Sequence, residues 1–394
     1  MTINDIKTPY FVLELNKLDN NVKSFKEALN MYFPSNILGY SVKTNSTPAL
    51  LALLLKRGCF AEVVSYDEFR LALKIGFRAN QIIYNGPMKD KETFLYAVEN
   101  GSYVNIDTKR EIEWLKELPH DKLFKVGLRL NLNLMYISPE DCKDGEFYSR
   151  FGFSDENTEF GDAINNIKSL GNLKIVGLHL HRTSKTRSVD VYKNICNYAI
   201  KVIKKYNIQV EYLDLGGGYY GDMPGKPSYN DYISVMAASL KNDIDVNNIT
   251  LLIEPGNAII ASPFTFFTSV IDTKKIGDET IVVLDGSRND VDPFFRKKDY
   301  FKTLLVRQKG RNILPKQVCV GCTCLENDRM FELDNNPQLQ IGDKIKLSFV
   351  GAYTTCLSPL FIRYYPKIYI QAGNKFTLSR ASWTEKEYIQ GSII

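Results

Sequence analysis

The sequence contains no apolar run long enough to cross a bilayer. Its longest apolar stretches, such as Leu50–Leu55, are far shorter than the roughly 20 residues that a membrane-spanning helix needs. The opening residues Met-Thr-Ile-Asn-Asp-Ile-Lys also lack the apolar core of a secretory signal. We therefore expect a soluble cytoplasmic protein with no membrane partner.

The chain also has little excess charge and no basic cluster. The formal net charge is only +5 over 394 residues, and no group of lysines and arginines is interleaved with aromatic residues. Nucleic acid is therefore not an expected partner. The chain is long enough for a barrel of roughly 250 residues and a second domain.

Cysteines are few and odd in number, which argues against a disulfide framework. There are seven, and without a signal segment we expect them to be reduced. Three of them lie in Cys319-Val-Gly-Cys322-Thr-Cys324, where Cys-x-x-Cys is a zinc-ligand spacing, but no second pair follows and the three histidines are distant. The same alternation fits a strand with Cys322 and Cys324 on one face. We expect no metal.

Eight apolar, β-rich segments follow one another at helix-sized intervals. Amphipathic stretches such as Ala49–Leu55, Tyr66–Ile75 and Val189–Lys205 separate them. This repeated strand–helix order predicts a parallel (β/α)8 barrel. The predicted strands are 37–41, 60–64, 81–85, 103–106, 124–130, 174–180, 210–215 and 250–255.

The alternation of strands and helices ends after Pro263, where short predicted strands are joined by turns that contain Gly, Asp and Asn. This pattern predicts a mostly antiparallel β domain, a β-barrel. We place the barrel at residues 31–264, the β domain at 265–394, and an N-terminal segment, 1–30, with the β domain through a strand at Tyr10–Leu15. The predicted strands of the β domain are 264–271, 280–284, 318–324, 344–350, 367–370 and 375–379.

The predicted carboxyl ends of the barrel strands carry most of the reactive side chains. Lys43 directly follows the first strand, where partial burial would lower its pKa and favour Schiff-base chemistry. The alternative is a solvated rim lysine. The other rim residues are Glu62, Arg129, His181, Gly216, Gly217, Gly218 and Glu254.

Two further rim features indicate a phosphorylated carbonyl cofactor. Gly216–Gly218 follows the seventh strand, and loops after strands seven and eight of such barrels bind phosphate. Glu254 ends the eighth strand, where a carboxylate can hold a protonated pyridine nitrogen; a capping or salt-bridging glutamate is the alternative. His179 and His181 alternate along strand six, so we expect only one to face the lumen.

Together these segments resemble the fold-type III pyridoxal-phosphate decarboxylases, the group of ornithine, arginine and diaminopimelate decarboxylases. The resemblance covers nearly the whole chain. Its motifs occur in the family's order: Tyr-Ser-Val-Lys43-Thr-Asn, Gly177-Leu-His-Leu-His181-Arg-Thr-Ser184, Leu213-Asp-Leu-Gly216-Gly-Gly218, Glu254-Pro-Gly256, Gly321-Cys-Thr-Cys324 and Gly351-Ala-Tyr353.

The resemblance implies roles for these residues around pyridoxal 5'-phosphate. It makes Lys43 the cofactor lysine, His181 the imidazole stacked on the pyridine ring, and Ser184 and Tyr353 phosphate ligands. It makes Cys324 a residue that enters the active site of the partner subunit, and therefore implies a homodimer with shared active sites. Arg150 of Ser149-Arg150-Phe-Gly would pair across that dimer with Asp328.

Several positions depart from the family pattern. Asn257 stands where the family has a phosphate-binding arginine, for which Arg182 can compensate. Leu325 replaces the acid after the cysteine, and the arginine that diaminopimelate enzymes carry before the proline is absent before Pro293. Asp285 matches the acid that meets the distal amine in ornithine-type enzymes, and Arg288 and Glu326 are further candidate substrate contacts.

The sequence therefore predicts the decarboxylation of an amino acid to an amine and CO2, with a modified diamino acid as substrate. A diaminopimelate or ornithine decarboxylase proper and an amino-acid racemase on the same fold are alternatives. A non-catalytic regulatory homologue is the alternative from another class, although Lys43 and Cys324 are both retained.

Overall fold

The computed structural model describes residues 6–142, 148–221, 223–308 and 310–393, and it divides into two compact units. One unit is Asn21–Ile259, and the other combines Met1–Asn20 with Ile260–Ile394. The two boundaries lie ten and five residues before the predicted ones, which divide the chain at 30/31 and 264/265. The Phe25 ring stacks on Tyr229 at 3.9 Å, which places residues 21–30 with the first unit. The amide of Glu14 donates to Pro263 O at 2.9 Å, which places residues 260–264 with the second.

The unit Asn21–Ile259 contains alternating strands and helices. Its strands are β2 (Ser35–Ser41), β3 (Phe60–Ser65), β4 (Ile82–Met88), β5 (Tyr103–Ile106), β6 (Phe124–Asn131), β7 (Phe153–Ser154), β8 (Leu173–His179), β9 (Tyr212–Asp214) and β10 (Thr250–Ile253). Its helices are α2 (Pro48–Lys56), α3 (Tyr66–Ile75), α4 (Lys91–Glu99), α5 (Lys109–Leu115), α6 (Leu134–Ile137), α7 (Glu159–Ser169), α8 (Val189–Tyr206) and α9 (Tyr229–Leu240). Helices α1 (Leu15–Tyr32) and α10 (Asn257–Ile260) run across the two boundaries.

These strands close into the predicted parallel barrel. The order is β5-β4-β3-β2-β10-β9-β8-β6, and pairing of β5 with β6 closes the ring, with β7 outside it on β6. The side chains of Ile37, Ile83, Val176, Tyr212 and Leu252 form one buried cluster. This apolar layer packs five of the eight strands against one another inside the barrel.

Two glycines make room for a tyrosine inside the barrel. Gly127 and Gly177 are register partners on β6 and β8. A Cβ at Gly177 would lie 2.0 Å from the Tyr212 ring, and one at Gly127 would lie 2.1 Å from its hydroxyl. The buried Tyr212 ring therefore occupies the space that a side chain at Gly127 or Gly177 would need. Its hydroxyl donates to Asn105 Oδ1 at 2.9 Å.

The second unit is a mostly antiparallel β structure, as predicted. Its strands are β1 (Tyr10–Glu14), β11 (Phe264–Ile276), β12 (Glu279–Leu284), β13 (Phe301–Leu305), β14 (Ile313–Val320), β15 (Arg329–Pro337), β16 (Lys344–Ser348), β17 (Lys367–Ala372) and β18 (Lys375–Arg380). The order is β15-β14-β12-β11-β1-β17-β18, with β16 on β11 and β13 on β16. Short helices α11 (Arg288–Val291) and α12 (Glu385–Ile389) complete it.

Strand β1 joins this unit as the sequence predicted. It pairs antiparallel with β11 and parallel with β17. The stacked rings of Tyr10 and Phe267 and the edge-on ring of Tyr369 bury the contact. Strands β13 and β15 were not predicted, because polar residues interrupt both segments. In the described part of the chain, no helix is long and apolar enough to span a membrane.

Candidate active site

Lys43 lies at the mouth of the barrel with its amine already paired. Strand β2 ends at Ser41, and Lys43 sits in the 3-10 turn Val42–Thr44 that follows. Its Nζ donates to Ser41 Oγ and Glu62 Oε2, both at 2.7 Å. Ser41 and Glu62 are register partners on β2 and β3, so strand pairing itself brings the three groups together.

Glu62 is an ionised carboxylate in a buried place. Only 1% of its side chain is exposed. Burial raises the pKa of Glu62, but the Lys43 ammonium and the hydrogen bonds from Lys43, Ser41 and Asn85 outweigh burial and leave that pKa below its ordinary value. The pair can therefore exist as ammonium and carboxylate, and Glu62 can stabilise positive charge on the nitrogen of Lys43.

Glu254 and Asp214 form a buried acid pair at the ends of β10 and β9. Their carboxyl groups hydrogen bond to each other, and burial followed by the neighbouring carboxylates raises the pKa of Glu254 well above its ordinary value. Burial also raises the pKa of Asp214, to about 6, although its hydrogen bond with Glu254 acts in the opposite direction. The larger rise at Glu254 favours that carboxyl as the one that holds the proton. The site thus presents a proton at Glu254 Oε.

Two asparagines connect this acid pair to the lysine. Asn85 Nδ2 donates to Glu254 Oε1 at 2.5 Å and to Glu62 Oε1 at 3.3 Å. Asn105 Nδ2 donates to Asn85 Oδ1 at 2.8 Å and to Asp214 Oδ2 at 3.1 Å. Sequence reasoning missed both asparagines. Their position near the carboxyl ends of β4 and β5, where the other site residues were found, is the signal that could have identified them.

Both histidines lie at the site, so the prediction that one of them packs outside the barrel was wrong. Strand β8 ends at His179, and beyond it the chain no longer alternates faces. The two rings are parallel to within 4° with centroids 6.4 Å apart. His179 Nε2 lies 3.6 Å from Glu254 Oε2, and neither nitrogen of the buried His179 ring has a hydrogen-bond partner among the described residues.

Both imidazoles are held in the neutral form. Burial, followed by the charges of Arg129 and Lys43, lowers the pKa of His181 to about 3. Its Nδ1 accepts the amide of Gly217 at 3.2 Å, which an imidazolium could not do. Burial and Arg129 also lower the pKa of His179. A neutral ring at His181 presents a flat apolar face for stacking.

The glycine loop, Gly216–Gly218, packs closely against its neighbours, as expected for a loop that binds an anion through its backbone. Gly216 and Gly218 have φ angles of 65° and 100°, which favour glycine. A Cβ at Gly217 would lie 2.4 Å from Glu254 O, and one at Gly256 would lie 1.9 Å from Thr44 Oγ1. Successive backbone N–H groups in such a loop form an anion-binding concavity.

Arg129 and Ser184 are buried beside the barrel rim. Arg129 NH1 pairs with Asp107 Oδ2 at 2.7 Å, whereas Arg129 Nε has no partner among the described residues. Arg129 is the register neighbour of His179 on β6 and β8. Ser184 Oγ accepts the amide of Arg187 at 3.0 Å. Asp107, which fixes Arg129, was also missed from sequence.

In the other unit, Cys324 belongs to a turn and not to a strand. Strand β14 ends at Val320, so the prediction of a strand through Cys324 was wrong. The reason is Asp328: its Oδ2 accepts the amide and hydroxyl of Thr323 at 3.2 and 2.6 Å, which folds the chain back. Cys324, Leu325 and Glu326 are exposed on this turn. Asp328 is 2% exposed, and its predicted pairing with the exposed Arg150 stays a prediction.

The predicted substrate contacts Asp285 and Arg288 are engaged within their own unit. Asp285 accepts Thr8 Oγ1 at 2.6 Å, and Thr268 Oγ1 and the Ser269 amide at 2.8 Å each. Arg288 NH2 donates to Asp292 Oδ2 at 2.6 Å and to Lys297 O at 2.9 Å. Both side chains therefore organise their loops. Tyr353 has a φ of 56° and is 43% exposed.

Comparison with known proteins identifies the family. Residues 15–261 match the model of the pyridoxal-dependent decarboxylases, pyridoxal-binding domain. A probable chloroplastic diaminopimelate decarboxylase of Oryza sativa subsp. japonica is 30% identical over 292 residues, which are 71% of this chain and 58% of that protein. The diaminopimelate decarboxylase of Helicobacter pylori strain J99 is 26% identical, covering 89% of this chain and 87% of its own.

Solved structures show the same fold. Diaminopimelate decarboxylase from M. jannaschii, in complex with L-lysine, superposes with a TM-score of 0.85 at 21% identity, covering 98% of this chain and 92% of that one. The arginine decarboxylase of Paramecium bursaria Chlorella virus gives a TM-score of 0.76 at 20% identity, covering 93% and 96%.

The residues of the barrel fit pyridoxal 5'-phosphate. The buried Glu254 proton suits a pyridine nitrogen, the glycine loop suits a phosphate, and the Lys43 amine suits an aldehyde. His179, whose two buried nitrogens lack partners, lies beside the acid pair without competing for it. The chain belongs to the pyridoxal-dependent decarboxylases of the ornithine and arginine type and is a pyridoxal-phosphate-dependent amino-acid decarboxylase.

Proposed function

We propose that the chain removes the α-carboxylate of an amino acid with a modified, extended side chain, releasing CO2 and an amine. The observation that carries this proposal is the buried Glu254–Asp214 acid pair, which Asn85 joins to the Lys43–Glu62 pair. When bound, pyridoxal phosphate supplies an electron sink for the carbon that loses CO2. The residues supply binding, orientation and protons.

Each residue of the network has a distinct role. Lys43 would hold the aldehyde group of the cofactor, and Glu62 would stabilise positive charge on the Lys43 nitrogen. Glu254 would hold the pyridine nitrogen through a shared proton. The neutral ring of His181 would lie against the ring of the cofactor, and Ser184, Gly216–Gly218, Gly256 and Tyr353 would hold the phosphate.

Cys324 is our candidate for the proton donor at the carbon that has lost CO2. Its turn is exposed, and the family resemblance supports a role for this cysteine in the site of a partner subunit. The proposal therefore includes a homodimer in which each site takes Lys43 from one chain and Cys324 from the other. Arg150 and Asp328 are the proposed ion pair between the chains.

The proposed substrate class follows from two missing distal contacts. Leu325 stands where an acid would follow the cysteine, and Asp292 precedes Pro293 where the diaminopimelate enzymes have an arginine. Asp285 and Arg288 are engaged by neighbouring groups, and Glu326 is exposed. A substrate group that finds no polar partner is rejected by orders of magnitude.

Diaminopimelate decarboxylase proper is the second candidate, because relatives with that name cover most of the chain. A CO2-release screen of the holoenzyme over amino acids separates the two. We expect free ornithine, lysine and meso-diaminopimelate to give kcat/KM values well below the roughly 10⁴ M⁻¹s⁻¹ of a cognate substrate. A cognate value on meso-diaminopimelate would establish the second candidate instead, and release from no amino acid would refute both.

A further inference from the structure

The second unit contains a narrow polar cleft beside the cysteine turn. It lies between helix α11 and the segment that follows Tyr353, and its polar lining residues include Asn289, Asp290, Thr323, Ser358, Arg363 and Tyr364. Four of these six side chains carry neutral hydrogen-bond donors, one is a guanidinium and one is a carboxyl group. A donor-rich lining of this kind suits an acceptor ligand.

Arg363 has unused donors at this cleft. Its NH1 donates to the backbone oxygen of Asp285 and lies 3.7 Å from Cys322 Sγ. No other protein hydrogen bond is made by its side chain among the described residues, so Nε and NH2 remain available. The side chain belongs to an exposed residue, and a guanidinium with two adjacent N–H groups matches a carboxylate in a bidentate manner.

Asn289 is a second unused donor. The residue is 6% exposed, and its Nδ2 is buried without any hydrogen-bond partner among the described residues. A buried amide nitrogen without a partner lowers the stability of the folded state. An acceptor atom in the cleft would remove that penalty.

The one acidic lining residue does not neutralise Arg363. Asp290 Oδ2 accepts a hydrogen bond from the Ser287 amide at 3.0 Å, at the start of α11. Burial raises the pKa of Asp290 to about 7, although Arg363 acts in the opposite direction. At neutral pH a large part of Asp290 is therefore uncharged, and it offsets the charge of Arg363 only in part.

We propose that Arg363 and Asn289 bind a carboxylate on the distal end of the substrate side chain. This inference rests on the proposed function, because it takes Cys324 to act on the substrate. Arg363 lies against Cys322 in the same turn as Cys324, and the Cys322 amide donates to Gly286 O at 3.1 Å beside α11. Arg363 therefore lies beside the segment that carries Cys324.

The test compares two substrates that differ only in their distal group. Nδ-succinyl-ornithine ends in a carboxylate, and Nδ-butyryl-ornithine has the same length without it. We expect the holoenzyme to prefer the succinyl compound at least tenfold in kcat/KM. Arg363→Gln should lower kcat/KM for the succinyl compound about 10- to 100-fold, as expected for a lost charge-assisted hydrogen bond, and leave the butyryl compound within about threefold. Arg363→Lys should recover part of the loss.

Arg329→Gln is the matched control, because Arg329 is also an exposed arginine of this unit and pairs with Glu279. It should change neither substrate. An equal loss on both substrates in Arg363→Gln, or no loss on either, would overturn the inference. The first result would mean that Arg363 only supports the fold of its loop.

Direct binding separates this inference from the proposed function. If wild-type enzyme decarboxylates neither compound, calorimetric titration with glutarate decides the inference alone. Glutarate should bind the wild-type holoenzyme and lose at least tenfold in affinity in Arg363→Gln, whereas 1,5-diaminopentane should bind neither protein measurably at the cleft. Equal glutarate affinity in both proteins, or no binding to wild type, would overturn it.

Discussion

At the residue scale, a chain of side-chain hydrogen bonds connects the nitrogen that binds the aldehyde to the acid that binds the ring nitrogen. Lys43, Glu62, Asn85 and Glu254 form this chain. Because each side chain is hydrogen bonded to the next, the protonation states of Lys43 and Glu254 depend on each other. Changing one end should alter the properties of the other.

The first prediction concerns Lys43. Borohydride reduction of the holoenzyme should fix the pyridoxyl group on Lys43, and mass spectrometry of the digested protein locates it. Lys43→Ala should abolish turnover while keeping the fold, because no other described amine pairs with Glu62. Lys74→Ala, on the exposed face of α3, is the control and should retain full activity. Labelling at another lysine would contradict the assignment.

The second prediction concerns the Glu254–Asp214 pair in the protein stripped of cofactor. Burial holds protons on this pair that the unfolded chain releases above roughly pH 4. The unfolded state then binds fewer protons than the folded state, so stability falls as the pH rises above that value. Glu254→Gln should reduce this fall by about 1–3 kcal/mol, as measured by denaturant unfolding between pH 5 and pH 8.

Adding pyridoxal phosphate provides the counterpart of this measurement. A ring nitrogen that takes the Glu254 proton leaves a cation beside a carboxylate, which removes the penalty. Wild-type holoenzyme should therefore lose less stability with rising pH than the stripped protein, and Glu254→Gln should show little difference between its two forms. Identical pH profiles for wild type and variant would refute the role of Glu254.

At the element scale, the barrel places its reactive groups by strand register. Arg129, His179 and Asp214 are successive neighbours across β6, β8 and β9, and Ser41 faces Glu62 across β2 and β3. A parallel barrel fixes these relations through backbone hydrogen bonds. The side chains therefore need no flexible loop to bring them together.

The third prediction tests the glycine loop. Gly217→Ala should weaken pyridoxal-phosphate binding at least tenfold, because its Cβ would lie 2.4 Å from the backbone oxygen of Glu254 and must displace the loop. Fluorescence titration of the stripped protein measures this affinity. Gly161→Ala is the control: on α7 its Cβ would meet only the edge of Tyr206 at 3.2 Å, and affinity should be unchanged. Equal affinities in both variants would contradict the phosphate role of the loop.

At the scale of the whole molecule, sequence patterns predicted both kinds of fold and most of the rim. Strand–helix alternation identified all eight strands of the closed ring, because buried parallel strands are nearly continuous apolar runs. Polar residues interrupt strands β13 and β15, so both lack that signal. Asn85, Asn105 and Asp107 were missed because asparagine and aspartate are common in turns, and only the three-dimensional register shows that they reach Glu254, Asp214 and Arg129.

The histidines show the limit of periodicity. Alternation excludes two inward residues at His179 and His181 only while the strand continues, and β8 ends between them. The predicted strand through Cys324 was wrong for a similar reason. One buried carboxylate, Asp328, reverses the chain within three residues of the end of β14. In both cases the strand ends earlier than its composition suggests, and at the cysteine turn the hydrogen bonds of Asp328 are the cause.

The fourth prediction concerns the homodimer. Mixed subunits of inactive Lys43→Ala and inactive Cys324→Ala should regain about a quarter of wild-type activity, because random pairing gives half mixed dimers with one intact site of two. Subunit exchange is verified by differential tagging and co-purification. Mixing Lys43→Ala with Glu254→Gln, both of the same barrel, is the control. Exchange without recovery in the first mixture would place Lys43 and Cys324 in the site of a single chain.

The position of β1 has a consequence for biosynthesis. This strand is made first, yet its two partners are β11 and β17, so it must wait on the ribosome until nearly the entire chain has been translated. Residues 21–259 are contiguous and carry their own closed ring, so they can fold during that interval. The apolar segment Tyr10–Leu13, which is buried in the folded chain, is meanwhile not covered by its strand partners.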